Sequence, residues 1–305
     1  MVYFLNTEQF TRRKKITINN NSGGALSAFQ VSITVPYNVN MQADFDDLRF
    51  AYPDGTNIPY WLESKVDSTS AVIWILVDLP LFGVSPTGNN IIYMYYGNSS
   101  LSSASNGYNT FIRFNDGTSL IGFNSVGVSN SGGSTIIAAN AGGKNYLTST
   151  TTIARPVIAQ YDITVPGFYH VSGFFSSSGL QDFSGANQIY WYDAGDNNRY
   201  TVMTDNSTNA AGTFFARTST MHTLKIMWGT TLATTKYFVD GVQKTTPSSG
   251  FTSSTSLYFS ISAHNSFNIP TITIDNLTIR KYAVTEPTYT IGNEEHRGNN
   301  KIIIY

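Results

Sequence analysis

The sequence predicts an all-β protein of sandwich or barrel architecture. Three observations carry that expectation. Apolar and polar residues alternate in short runs, turn dipeptides recur between the runs, and glutamate is scarce. The five glutamates are Glu8, Glu63, Glu286, Glu294 and Glu295, with none between Glu63 and Glu286, against 19 tyrosines and 19 phenylalanines. Exposed helix faces draw on Glu and Lys, whereas strands and turns draw on Thr, Ser, Asn and Gly.

The runs follow one another along the chain. Ile16 and Ile18 sit between Lys15, Thr17 and Asn19, and Phe29, Val31, Ile33 and Val35 alternate with Gln30, Ser32 and Thr34. Each pattern is that of a strand with one buried face. Ala71–Val77 and Ile91–Tyr96 are apolar throughout, short and rich in β-branched or aromatic residues, so both are expected to be buried on two faces. Leu257, Phe259 and Ile261 restore the alternation, followed by Ile272 with Ile274 and Leu277 with Ile279. Asp54-Gly55, Asp116-Gly117 and Asp240-Gly241 supply turns. No window of a dozen residues has helical periodicity with caps.

With 305 residues the chain is long enough for two cores. The small-residue stretch from Ser99 to Gly107 reads as a linker, giving expected domains at 1–105 and 106–295 and a tail at 296–305. The tail ends in Ile302, Ile303, Ile304 and Tyr305, an apolar segment suited to adding to a sheet edge, its own or a neighbour's.

Composition narrows the partners. A net charge of −1 gives no long-range attraction to nucleic acid, and Arg12 to Lys15 is too short a basic run to supply it. No apolar run is long enough for a membrane-spanning helix, so membrane insertion is not expected. Cysteine is absent, which removes disulfides without fixing the compartment. Met1–Glu8 lacks a charged start and an apolar core, so no signal peptide is expected: either the numbering starts at a mature or recombinant end, or the protein reaches the outside without classical secretion, as virion proteins released by lysis do.

Ordered motifs in the first hundred residues resemble a domain of unknown function found in archaeal and bacterial surface proteins. They are Arg13–Ile18, Asp46–Phe50, Pro59–Glu63, Ala71–Ile75 and Ile91–Asn98. The resemblance implies a β-sandwich beside lectin-like modules. Within it, an Arg49–Glu63 ion pair is expected to tie two strands, with Trp61, Trp74 and Tyr95 filling the core. Farther on, His222–Trp228, Tyr237–Val242 and Ile274–Tyr282 are similar to segments of concanavalin A-like and laminin-G-like sandwiches; together the two resemblances imply two β-sandwich domains in tandem, of jelly-roll or lectin-like type. Glu286-Pro287, Gly292 and Glu294-Glu295 follow as they do in such surface proteins.

That superfamily includes glycoside hydrolases, which work with two carboxyl groups flanking the bond. The Glu-x-Asp-x-x-Glu motif of its retaining members is missing, because the second domain has no glutamate before Glu286. Asp193 with Asp196 is the substitute pair, but it sits in a turn. The four histidines are scattered, no Gly-x-Ser-x-Gly occurs, and Gly142-Gly143-Lys144 lacks the upstream glycine of a phosphate loop. No cofactor is required. Calcium is the one the residues admit, through Asp193, Asp196, Asn198 and Asp205, against the plain reading of a polar turn. Four glycosylation sequons begin at Asn20, Asn98, Asn206 and Asn276, a number that chance alone gives in so Asn-rich a chain.

The expected function is therefore non-enzymatic: an extracellular-facing binding or adhesion protein that recognises surface glycans, as a virion or archaeal envelope component. The candidate site is the hairpin Tyr190, Trp191, Tyr192, Asp193, Asp196, Asn197, Asn198 and Arg199, which offers aromatic faces and hydroxyl-binding groups. Its alternative is strand residues that merely pack. A structural subunit of a capsid, spike, filament or surface layer, with neighbouring subunits or a second copy as partners, is the second expectation. A carbohydrate-active hydrolase is the third.

Overall fold

The computed structural model describes residues 3–80, 90–138, 140–141, 145–164, 170–178, 188–193, 199–204, 215–216, 220–245, 254–263, 268–269, 271–298 and 301–304. Every described strand pairing is antiparallel, and the α-helix is a single turn, Gly107–Thr110. The all-β expectation is met.

The chain divides into two units, but not at the serine-rich stretch. One unit joins Met1–Phe111 to Ala283–Tyr305, and the other is Ile112–Tyr282. The expected boundaries at 105 and 295 are corrected accordingly. The strand Thr288–Gly298 pairs with Arg12–Asn19, so the C-terminal segment completes the first sandwich instead of closing the second. The serine-rich stretch is itself pinned to the first unit. Ser105 Oγ accepts from the Leu62 N–H at 2.8 Å, and the Asn106 N–H donates to the Tyr60 carbonyl at 2.8 Å. One backbone N–H and one hydroxyl of the stretch are thus paired with the strand Tyr60–Val66, which composition does not reveal.

Among the described residues the first unit has two sheets. The six-stranded one runs Lys301–Ile304, Thr288–Gly298, Arg12–Asn19, Ile91–Tyr96, Arg49–Ala51, Asn57–Ile58. The three-stranded one runs Leu26–Pro36, Ser70–Leu79, Tyr60–Val66. Ile16, Ile18 and Ile92 from the first meet Val31, Ile33, Ile73 and Ile75 from the second in one buried cluster. The two all-apolar runs are buried fully on one face only. In Ser70–Leu79 the alternate residues Val72, Trp74 and Leu76 are half-buried, because the opposite face carries less cover. Trp61 and Trp74 set their rings edgewise on Phe111, at 5.5 and 5.8 Å, and Tyr95 packs with Phe10 in a smaller cluster.

Among the described residues the second unit also has two main sheets, each of eight strands. The central strands of one are Ile272–Lys281, Val157–Thr164 and His222–Trp228, and those of the other are Ile189–Asp193, His170–Phe175 and Ser256–Ala263. Their inward faces form a single cluster that includes Tyr161, Trp191, Trp228, Phe259 and Ile279. The break in alternation between Ile274 and Leu277 has a structural cause. The register against Val157–Thr164 shifts there, and Asn276 takes φ 49°, so an extra residue is bulged out and both halves of the strand keep their apolar side inward.

Candidate functional site

The expected glycan hairpin is formed by Ile189–Asp193 and Arg199–Thr204, paired through Tyr192 with Thr201 and Asp193 with Tyr200. Trp191 is 0% exposed and meets Tyr237 edgewise at 5.2 Å within the core. Tyr190, 3% exposed, packs at 5.1 Å on Phe175 on the other side of the strand. Neither ring presents a face to a sugar, so these two residues are corrected from binding to packing: both faces of their strand are covered. The tip residues Asp196, Asn197 and Asn198 lie outside the described residues, as does Asp205. Tyr192, Asp193 and Arg199 are described by backbone alone. The calcium set therefore falls outside the described structure. Among the described residues no group of three or more His, Cys, Asp or Glu side chains could hold a metal ion.

The Arg49–Glu63 pair does not form. The Arg49 guanidinium donates through Nη1 to the carbonyls of Asp46 and Leu48, at 3.0 and 2.7 Å, and through Nη2 to the Ser102 carbonyl at 2.7 Å. Glu63 instead accepts from the Trp74 indole at 3.2 Å. Arg49 sits at the start of a three-residue strand beside Ile91–Tyr96, and this turns its side chain toward the loop preceding it and the serine-rich stretch. No pattern in the sequence marks that choice between a carboxylate and three carbonyls.

In the same unit Arg49 borders a hollow of about 390 Å³ that sequence reasoning missed. Buried Ile58 and Tyr60 lie in its lining, and Tyr3, Asn57, Asn106 and Asn109 supply polar and aromatic groups around them. Three separate chain segments build it. The N-terminal segment is laid along the turn at residues 55–57 by the Leu5 N–H to the Gly55 carbonyl and the Asn57 N–H to the Tyr3 carbonyl, at 2.9 and 2.8 Å. Gly55 has φ 87°, which the turn requires. The Asn106 side chain accepts from the Asn109 N–H at 3.1 Å and so fixes the single helical turn at the rim. The Tyr60 hydroxyl lies 3.4 Å from Arg49 Nη1 and accepts from the Ala104 N–H at 3.3 Å. Burial raises its pKa, and the positive charge of Arg49 offsets only part of that. A neutral phenol, a guanidinium and three amides can bind hydroxyl or carboxylate oxygens; none is a base suited to bond cleavage at neutral pH.

In the second unit Asp162 and Asp240 serve the fold. Asp162 accepts from the Thr223 hydroxyl and from Asn276 Nδ2, at 2.5 and 3.0 Å. Asp240 meets His222 Nδ1 at 2.7 Å and accepts from the Thr223 N–H at 2.9 Å. Although burial pushes Asp240 upward, its hydrogen bonds from His222 and Thr223 prevail and hold its pKa below the ordinary value. Two sequons are also occupied internally. Asn20 is 1% exposed and donates to the Gly24 and Leu79 carbonyls, and Asn276 donates to Asp162.

Several solved structures are similar to part of the chain. The carbohydrate recognition domain of Emp47p is 14% identical, with a TM-score of 0.41 over 53% of this chain and 89% of that one. The carbohydrate binding module CBM66 from Bacillus subtilis is 14% identical, with a TM-score of 0.37 over 52% and 96%. A beta-1,3-glucanase from Mycobacterium marinum is 9% identical, with a TM-score of 0.39 over 55% and 98%. These names span binding domains and a hydrolase. No curated protein matches the chain. Residues 44–122 match a family described as Domain of unknown function (DUF2341), a segment that holds Arg49, Asn57, Tyr60, Asn106 and Asn109 of the hollow.

Proposed function

We propose that this protein is a non-catalytic glycan-binding protein displayed at a virion or cell surface. The observation that carries the reading is the fate of the acidic groups. The second unit, Ile112–Tyr282, contains no glutamate, and the aspartates whose side chains are described, Asp116, Asp162, Asp240 and Asp275, are engaged by Thr118, Thr223, Asn276 and His222. Glycoside cleavage calls for two carboxyl groups facing across a bond, one of them free to give up a proton. A two-sheet scaffold whose acids are tied into strand and turn contacts supports holding a ligand. The low charge and the abundance of Ser, Thr and Asn support an outward-facing, hydroxyl-compatible surface.

The test is a glycan array probed with the full chain, alongside incubation with the same glycans and detection of new reducing ends. Binding without release of reducing ends is expected. New reducing ends, or silence across the array, defeats the reading. Mass spectrometry of purified virions and envelopes tests the location.

A second reading, a structural subunit, is favoured by one feature. Lys301–Ile304 forms the last strand of the six-stranded sheet and, among the described residues, pairs with Thr288–Gly298 alone. A terminal strand leaves backbone donors and acceptors for a neighbour's strand. Deleting residues 299–305 and measuring mass by light scattering decides it: an unchanged assembly excludes that role for the tail.

A further inference from the structure

We propose that the hollow beside Arg49 is a binding site for a sugar bearing a carboxylate, with the acid group held by the Arg49 guanidinium. The inference rests on the glycan-binding reading and narrows it to one site and one ligand class.

Charge comes first. Arg12 and Arg13 are neutralised by Glu294 and Glu295, at 3.1 and 2.7 Å. Arg49 has no carboxylate partner among the described residues; carbonyl and hydroxyl oxygens are its acceptors. Carbonyls fix the orientation of a guanidinium without cancelling its charge. They also leave donors over. Nε makes no hydrogen bond with the described residues, and Nη2 uses one of its two protons on Ser102. Nε and Nη2 are the fork that a guanidinium offers side-on to the two oxygens of a carboxylate. Because the other bonds already hold the fork, little side-chain freedom remains to be lost on binding.

The surroundings then select a sugar over a simple acid. Tyr3 is 67% exposed and lies in the lining, where its ring can cover the apolar face of a pyranose. Asn57, Asn106 and Asn109 place amide groups around the same space, suited to ring hydroxyls. The volume of about 390 Å³ is at the small end for ligand sites and suits one or two rings, not a long chain.

Calorimetric titration of the full chain with oligohexuronates and with neutral hexose oligomers of equal length tests this. The expected result is selective binding of the acidic oligomers, weakened at high salt and weakened about tenfold by Tyr3→Ala, a loss of roughly 1.4 kcal/mol. Arg49→Gln should erase the preference for the acid. Since Arg49 also holds backbone carbonyls, its variant is first checked by thermal melting; if it unfolds, Tyr3→Ala with the salt dependence decides. Equal binding of neutral and acidic oligomers, or indifference to Tyr3→Ala, overturns the inference while leaving glycan binding intact. Failure of both oligomer classes here, together with a silent array, overturns both.

Discussion

The Tyr96 hydroxyl donates to Glu294 Oε2 at 2.6 Å, joining residues 198 positions apart. Glu294 also takes Arg12 Nε at 3.1 Å and Asn40 Nδ2 at 3.2 Å, so one carboxylate ties the returning C-terminal strand to three other segments of the first unit. Burial, reinforced by this bond to Glu294, raises the Tyr96 pKa and keeps the phenol a donor. Replacing Glu294 with Ala is expected to cost about 2–3 kcal/mol, since hydrogen bonds to a charged group are among the stronger ones. A double-mutant cycle with Tyr96→Phe, read by urea denaturation, should show a coupling of about 1 kcal/mol. Additive single effects would separate the two residues.

A chain ending at Tyr282 lacks the strand Thr288–Gly298 and bares the partner edge of Arg12–Asn19. It also removes Tyr289 and Ile291 from the first core. Scanning calorimetry should show the first unit's transition lost or sharply lowered and the second unit's transition retained. The reverse outcome would return the C-terminal segment to the second unit.

Trp191→Ala should act on stability and not on ligand contact. A fully buried tryptophan cut to alanine leaves a cavity, and the expected loss is about 3–5 kcal/mol by chemical denaturation. A variant of unchanged stability would contradict the position of Trp191 between the sheets.

Asp275 carries a pH dependence of definite sign. Burial, then the charges of Asp162 and Asp116, raise its carboxyl above the ordinary 3.8. The fold therefore favours the protonated form, and ionisation of Asp275 lowers stability as pH rises through the window just above that value. Asp275→Asn should raise the melting temperature at pH 7, with the gain vanishing as the pH falls below 3.8. A gain that persists in acid would point to a cause other than charge.

The fold class was legible because strand periodicity is local: Phe29, Val31, Ile33 and Val35 declare a face whatever they pack against, and all four are buried. Even the bulge at Asn276 shows in the sequence as one polar residue too many between Ile274 and Leu277. The scarcity of glutamate likewise bounds the chemistry without any coordinates. Partnership was decided elsewhere. Trp191 reads as an exposed aromatic beside polar turn residues, yet strand pairing rotates it into the core and sets Tyr190 against Phe175 on the other side. Arg49 reads as the mate of Glu63, but the carbonyls of Asp46, Leu48 and Ser102 claim it. The hollow joins Tyr3, Asn57 and Asn106, which no spacing connects. Alternation depends on side chains two residues apart, whereas such contacts depend on which distant strands share an edge, and only the closed network of backbone hydrogen bonds fixes that.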